Sequence, residues 1–498
     1  MEKTTQAILK DLRELAAIPS VKAAPVKGKP FGTEIGRALD WFLEKGRAFG
    51  LTALNADGYA GHLEIPGKPD GKLAGVLVHL DVVPAADGGW PTPPFHPKEI
   101  DGRLVGRGVT DDKGAAVVLL HVLKAVKERG APLKNTVRLI AGCDEESGSA
   151  CVRHYFQSQP MPDFGFSPDA DFPLIFAEKH IIRLHITLKS AAAGKGIGRI
   201  LGDFTENVVP EYAGAEINKG NMHNAQFKGT GDRGQGVGNR EQGTGNREQG
   251  KDSGQWSVVS SQLADDSKGQ GTSDGGQAKD KTDHCELCLV NCEWETVHCH
   301  GRAAHSMECF KGDNALWKLC AELRKRFPDD AALAFIADKI CGETDGKKLG
   351  IACDDGISGA LTCNFSTLKV KAGALELTLD VRCPVGKRPE EIADAVKRAL
   401  PEGGTLEAGI NKGFALEKDD PILRVLLDSY RKVTGREDGP KASGGGTYAR
   451  YLKRAAAFGP MFEGTDYKIH AAGENLPVDE IGKLFEIYYN AVLGIGNL

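Results

Sequence analysis

Gly106-Arg107-Gly108-Val109-Thr110-Asp111-Asp112-Lys113-Gly114 places two adjacent carboxylates in a glycine-bounded turn, directly ahead of an apolar helical run from Ala115 to Val126. Glycine accepts strained or positive-φ backbone without a Cβ penalty. A carboxylate held in such a turn can project from a strand end while the following helix anchors it, and Asp111 reads as a bridging metal ligand. The plainer reading is a surface turn whose Asp112 caps the next helix. Acid and histidine residues at other strand ends decide between the two.

Upstream, Gly61 to Ile65 and Leu73 to His79 read as strands, the second with an apolar run (Val76, Leu77, Val78) dense enough for burial on both faces. It ends in His79-Leu80-Asp81-Val82-Val83-Pro84. Residues i and i+2 of a strand point the same way, so Asp81 is placed to hydrogen-bond the His79 imidazole and fix its metal-binding nitrogen. Downstream, a strand from Thr136 to Ala141 runs into Cys143-Asp144-Glu145-Glu146. Two adjacent glutamates repel each other at a buried strand end unless a cation sits there. One can ligate metal while its neighbour holds a water as general base. Ser167-Pro168-Asp169-Ala170-Asp171 supplies a further acid. Strands alternating with helices, with polar residues at strand C-termini, describe an open α/β sheet with a site at its carboxyl edge.

Composition narrows the class. The 498 residues leave room for several domains, and 63 basic against 68 acidic side chains leave a net charge of −5. No basic face for nucleic acid is indicated, and no apolar run reaches the roughly 20 residues of a membrane span. Met1 to Ala17 reads as an amphipathic helix without a signal peptide's apolar core. Twelve scattered cysteines read as reduced thiols of a cytoplasmic protein. The His284, Cys285, Cys288, Cys292, His298, Cys299, His300 cluster has one zinc-like C-x-x-C spacing but no second pair, so a zinc knuckle is disfavoured.

From about Arg183 the character changes, and His185 to Leu188 resembles the edge of a second, smaller sheet domain. Residues 220–283 are rich in Gly, Gln, Ser, Asn, Asp and Lys and repeat Gly-Asn-Arg-Glu-Gln-Gly at Gly238 and Gly245. Such composition predicts a disordered or loosely ordered insert. Order is expected again from Leu287, with His300-Gly301-Arg302-Ala303-Ala304-His305-Ser306 before a helix near Ala315, a strand from Leu375 to Arg382 and a helix from Pro389. Asp420-Pro421 opens another helix that stops at Gly435. Ser443-Gly444-Gly445-Gly446-Thr447 lacks the Gly-Lys-Ser/Thr of a nucleotide loop. It can offer backbone N–H groups to a carboxylate instead. His470 lies in a loop before a terminal helix.

His79, Asp111, Glu146, Asp169 and His470 make two histidines and three carboxylates. That is a ligand set for two divalent ions sharing one carboxylate, about 3.5–4 Å apart, polarising a carbonyl and activating water. Nitrogen and carboxylate donors without thiolate suit Zn²⁺, with Mn²⁺ or Co²⁺ possible.

The motif from His79 to Pro84, Gly106 to Gly114, Asp144 to Ser147, Ser167 to Ala170, His305, Asp380-Val381-Arg382, Ser443 to Arg450 and the His470 loop together resemble the co-catalytic metallopeptidase family of dipeptidases, carboxypeptidases, aminoacylases and succinyl-diaminopimelate desuccinylases. Ser167 to Pro173, Ser443 to Arg450 and Ala457-Phe458-Gly459 lean to its PepV-like dipeptidase branch. The resemblance spans nearly the whole chain except the insert. It implies one ion on His79, Asp111 and Asp169 and a second on Asp111, Glu146 and His470, with Asp81 orienting His79 and Glu145 as general base. It implies a cis peptide between Asp111 and Asp112, His305 stabilising the oxyanion, Arg382 and Asn207 contacting the substrate's ends, and Ser443, Gly444, Gly445 and Gly446 binding its terminal carboxylate.

The expected protein is therefore an α/β metallodipeptidase. Its catalytic domain (1–184 and 415–498) would have a mixed, mostly parallel sheet flanked by helices. An inserted α+β lid (185–414) would carry the low-complexity stretch. The partner is a small peptide, with a monomer favoured over a homodimer. Another amidase of the same machinery is the nearest alternative, distinguished by whether the substrate carries a free α-amino group. A catalytically dead binding protein on this scaffold is disfavoured by the complete set of ligands and base.

Overall fold

The computed structural model describes residues 2–85, 88–130, 132–219 and 294–498. The low-complexity insert and Cys285, Cys288 and Cys292 lie outside them.

The strand Leu73–His79 is the centre of the larger sheet. It pairs in parallel with Thr136–Gly142 on one side and Phe164–Ser167 on the other. Its sequence lacks polar alternation because both faces are covered, and six of its seven residues are buried. The helix Lys113–Arg129 and the terminal helix Glu480–Asn497 pack on each other and on these strands. Within the former, Val117, Val118, Leu119, Leu120, Val122 and Leu123 are fully buried. Each such side chain contributes about 1.5–3 kcal/mol of burial. Gly130 ends this helix in the left-handed conformation at φ 67°.

The whole sheet runs in the order 52–56, 60–65, 136–142, 73–79, 164–167, 455–457, 175–178, 414–415, with 441–443 also on 175–178. It is mixed, as expected, with its parallel pairings concentrated at the centre; both pairings at the 52–65 end and those of 175–178 with 455–457 and 414–415 are antiparallel. The central three parallel strands end at one edge. His79 closes one, Gly142 precedes Cys143-Asp144-Glu145-Glu146, and Ser167 precedes Pro168-Asp169. Polar loops at the carboxyl edge of parallel strands are where open α/β sheets bind ligands.

A second hydrophobic core is built on another sheet, antiparallel, in the order 362–371, 374–383, 180–189, 405–411. The strand His180–Lys189 starts earlier than expected and lies inside its sheet, since it pairs with both Ala374–Cys383 and Thr405–Asn411. Its partners arrive about 200 residues later, so no local pattern could reveal its position. A three-stranded sheet joins 197–201, 212–218 and 294–300. His298 bonds the Tyr212 hydroxyl through Nδ1 at 2.8 Å, and Cys299 is buried, so both serve this lid sheet. The predicted helices at 315, 389 and 421 form as Ala315–Arg326, Pro389–Ala399 and Pro421–Thr434. In the last, the Asp420 carboxylate accepts from the Ile422 N–H and Gly435 is left-handed at φ 67°.

Candidate metal centre

The five proposed ligands converge. His79 Nε2 lies 2.9 Å from Asp111 Oδ1, and His470 Nε2 lies 2.8 Å from Asp111 Oδ2 and 3.3 Å from Glu146 Oε2. Two overlapping sets, His79–Asp111–Asp169 and Asp111–Glu146–His470, each bring donor atoms within 4.8 Å of one another. Asp111 is common to both, the bridging position read from the sequence. The Asp111–Asp112 peptide is cis.

The supports differ in part from expectation. Asp112 stands at the N-cap of the helix Lys113–Arg129 but makes no side-chain cap bond; its Oδ2 instead accepts from the His79 backbone N–H at 3.1 Å. His79 Nδ1 bonds the Asp81 backbone carbonyl at 2.9 Å, whereas the Asp81 carboxylate is 3.7 Å away. That carboxylate accepts from the Glu145 and Glu146 N–H groups, each at 3.1 Å. Asp81 thus orients the imidazole through its main chain and fixes the glutamate pair through its side chain. The strand ends at His79, so the strand alternation that predicted the contact does not extend to Asp81.

The charge balance fits cations. Burial, then the surrounding carboxylates, raise Glu145 to about 8 against an opposing pull from His79. Burial likewise raises Asp169 and Asp112, with the Asp111 charge adding to both. Asp112 Oδ1 is buried and has no hydrogen-bond partner among the described residues. Burial opposes protonation of His470, but its bonds to Asp111 and Glu146 outweigh that and raise it to about 11. Carboxylates raised by burial and by one another's charge, with imidazole and carboxylate donors converging, match two divalent ions.

The lid residues also meet. Val208 bridges His305 in antiparallel fashion, and the Ser306 N–H donates to the Asn207 carbonyl at 2.8 Å. Nearly a hundred residues separate Asn207 from His305 along the chain, yet they are neighbours. Burial and then the Arg382 guanidinium lower His305 to about 4, and His470 adds to the effect, so the lid histidine stands within electrostatic reach of the metal loop. Arg382 donates from Nε and Nη2 to the Asp380 carboxylate at 2.8 and 2.9 Å and from Nη1 to the Gly444 carbonyl at 2.8 Å. The lid therefore rests on the glycine-rich loop. A Cβ on Gly444 would come 2.8 Å from Met307 Cβ.

Three further carboxylates, not among the site residues expected from the sequence, support the site. Glu178, fully buried, accepts from the Thr447 hydroxyl at 2.7 Å and from the Arg450 guanidinium at 2.9 Å, and so shapes the Ser443–Gly446 loop. Its strand gives no local hint of this. Asp380 shares a strand face with Arg382, an i, i+2 signal that was available. Glu474, four residues after His470, accepts from the Thr110 and Asp111 N–H groups at 3.1 and 3.2 Å and from Arg107 Nη1 at 2.8 Å.

Among known proteins, residues 75–494 match Peptidase family M20/M25/M40. The chain is 34% identical over 495 residues to "Putative dipeptidase YtjP" of Bacillus subtilis (strain 168), covering 97% of this chain and 96% of that protein. Its fold is shared with human carnosine dipeptidase 1 (TM-score 0.56, 14% identity, 100% of this chain and 99% of that one). It is shared equally with the di-peptidase Dug1p from Saccharomyces cerevisiae (TM-score 0.55, 13% identity, 99% and 97%). With the family match covering most of the sequence and the ligand geometry independent of it, this chain belongs to peptidase family M20/M25/M40.

Proposed function

We propose that the protein is a dipeptidase that hydrolyses the single peptide bond of short substrates with two divalent ions, Zn²⁺ foremost and Mn²⁺ or Co²⁺ as substitutes. The observation that carries this reading is the gathering of His79, Asp111, Glu146, Asp169 and His470 into two overlapping sets that share Asp111, with Glu145 next in sequence to Glu146. Bound cations supply Lewis-acid polarisation of the scissile carbonyl and acidify water.

The chain's own residues do the rest. Glu145, held by its N–H on the Asp81 carboxylate, takes the proton from the attacking water and returns it to the leaving amine. His305, neutral at working pH because its pKa is lowered to about 4, donates a hydrogen bond to the developing oxyanion. The Ser443–Gly446 loop receives the substrate's terminal carboxylate. Arg382 fastens that loop through Gly444 and meets the substrate with its remaining N–H groups, beside Asn207. The His470 charge acts on His305 of the same chain, which supports a monomer completing its own site. The described cysteines are all unpaired thiols, which supports a cytoplasmic setting.

A panel of dipeptides and N-acyl amino acids, assayed with Zn²⁺, Mn²⁺ and Co²⁺, tests the reading. Dipeptides should be cleaved and their N-acylated counterparts not. Preferential cleavage of the acylated compounds would replace the dipeptidase with an aminoacylase-type amidase.

A further inference from the structure

The two candidate ion positions are built on unlike supports. His79 is 1% exposed, ends a central strand, and is fixed at both its backbone N–H and its Nδ1. His470 lies in a loop with its side chain 49% exposed and its backbone in the left-handed region at φ 61°, next but one to Lys468 at φ 51°. A non-glycine residue in that region costs free energy and persists only where the surroundings impose it. The imidazole's only bonded partners among the described residues are Asp111 and Glu146, which are themselves ligands. Something else must place this loop.

The structure supplies it in Glu474. This carboxylate is fully buried, and it joins the His470 loop to the turn that carries Asp111. One oxygen accepts from the Thr110 and Asp111 N–H groups, the other from Arg107 Nη1. Around it, the Gly106 N–H donates to the Glu474 carbonyl at 3.0 Å, and the Thr110 hydroxyl donates to the Asn475 carbonyl at 2.9 Å. Arg107 is buried too, donates its own N–H to the Pro94 carbonyl at 2.8 Å, and carries the Trp90 ring over its guanidinium at 5.2 Å. The Trp90 segment in turn touches the same loop, since a Cβ on Gly89 would lie 3.2 Å from Ala472 Cβ. A buried, hydrogen-bonded ion pair is costly to break because it leaves a charge without a partner.

We propose that Glu474 and Arg107 are positioning residues that set the second ion position, Asp111–Glu146–His470, by clamping the His470 loop onto the bridging turn, while the first position, His79–Asp111–Asp169, takes two of its three ligands from strand ends. This rests on the two-ion reading above. Outer partners of metal ligands typically control affinity by about 10–100-fold, so loss of the clamp weakens the second ion by at least about tenfold and leaves the first nearly as tight as in the parent.

The test is a calorimetric Mn²⁺ titration of the full chain and of Glu474→Gln, Arg107→Lys and His470→Ala, with thermal unfolding of each apoprotein as a control. The parent should bind two ions. Glu474→Gln should keep one tight ion and lose affinity for the other, as His470→Ala does. Its dipeptide kcat should fall with little change in KM and recover as Mn²⁺ is raised. Arg107→Lys, which retains the charge but not the forked donor, should show a smaller shift of the same kind and serves if Glu474→Gln does not fold. Two ions at parental affinity in the folded variants, or parallel loss of both, would overturn the clamp. Fewer than two ions in the parent would overturn the two-ion reading itself.

Discussion

The metal floor and the lid cluster reach the same cleft by different routes. Three of the five floor ligands, His79, Glu146 and Asp169, lie at or shortly after the ends of adjoining strands, so backbone hydrogen bonding of the sheet places them, while Asp111 sits in the turn ahead of the helix Lys113–Arg129 and His470 in a late loop. The lid cluster draws Asn207, His305 and Arg382 from three distant segments. They are tied together by a short bridge at Val208, by Asn364 Nδ2 donating to the Val208 carbonyl at 3.0 Å and to Ser306 Oγ at 2.8 Å, and by the Thr362 hydroxyl on the Ser306 carbonyl at 3.2 Å. Most of the floor is set by the fold of one sheet, and Glu474 joins the remaining two ligands to it. The lid meets the glycine-rich loop through Arg382 and Met307. Floor residues should therefore govern ion content and kcat, and lid residues should govern transition-state and substrate contacts with the ions retained.

The sharpest break of that division is Asp111→Ala. Both ion sets use this carboxylate, so elemental analysis should find both ions lost and activity at background. Retention of two ions would remove its bridging role. Glu145→Ala should lower kcat by about 10²–10⁴, the usual worth of a positioned base, while two ions remain by the same analysis. Persistent turnover would take the base role from Glu145.

On the lid, His305→Ala should cost about 10²–10³ in kcat, the effect of losing an oxyanion donor, again with ion content intact. The folded-state pKa of His305 is lowered to about 4 from 6.5, so the ring is neutral throughout pH 5.5–8 and contributes no ionisation there. The pH–kcat profile of His305→Gln should thus keep the parental shape at a lower level. A limb near pH 6.5 that vanishes in the variant would show a titrating imidazole. Arg382→Lys loses the forked grip on Asp380 and should raise KM about tenfold more than it lowers kcat. Gly444→Ala, pressed against Met307, should have the mildest effect, a KM increase of a few-fold from disturbed docking. If either lid substitution strips ions, floor and lid are not separable.

The sequence by itself carried the floor. Apolar runs without alternation marked the central strands, and histidine and carboxylates directly at or after their ends marked the ligands, because in a parallel sheet chemistry-bearing side chains collect at the carboxyl edge. Helix boundaries at Asp420-Pro421 and Gly435 were legible because caps are local. What the tertiary structure alone decided were the contacts between distant segments. Asp81 turned its carboxylate to the glutamate amides, and Asp112 held the His79 backbone rather than its own helix. His180–Lys189 became an interior strand. Buried Glu178 and Glu474 took up donors from segments hundreds of residues away. A buried carboxylate must find partners wherever the chain brings them, and spacing along the sequence carries no record of that.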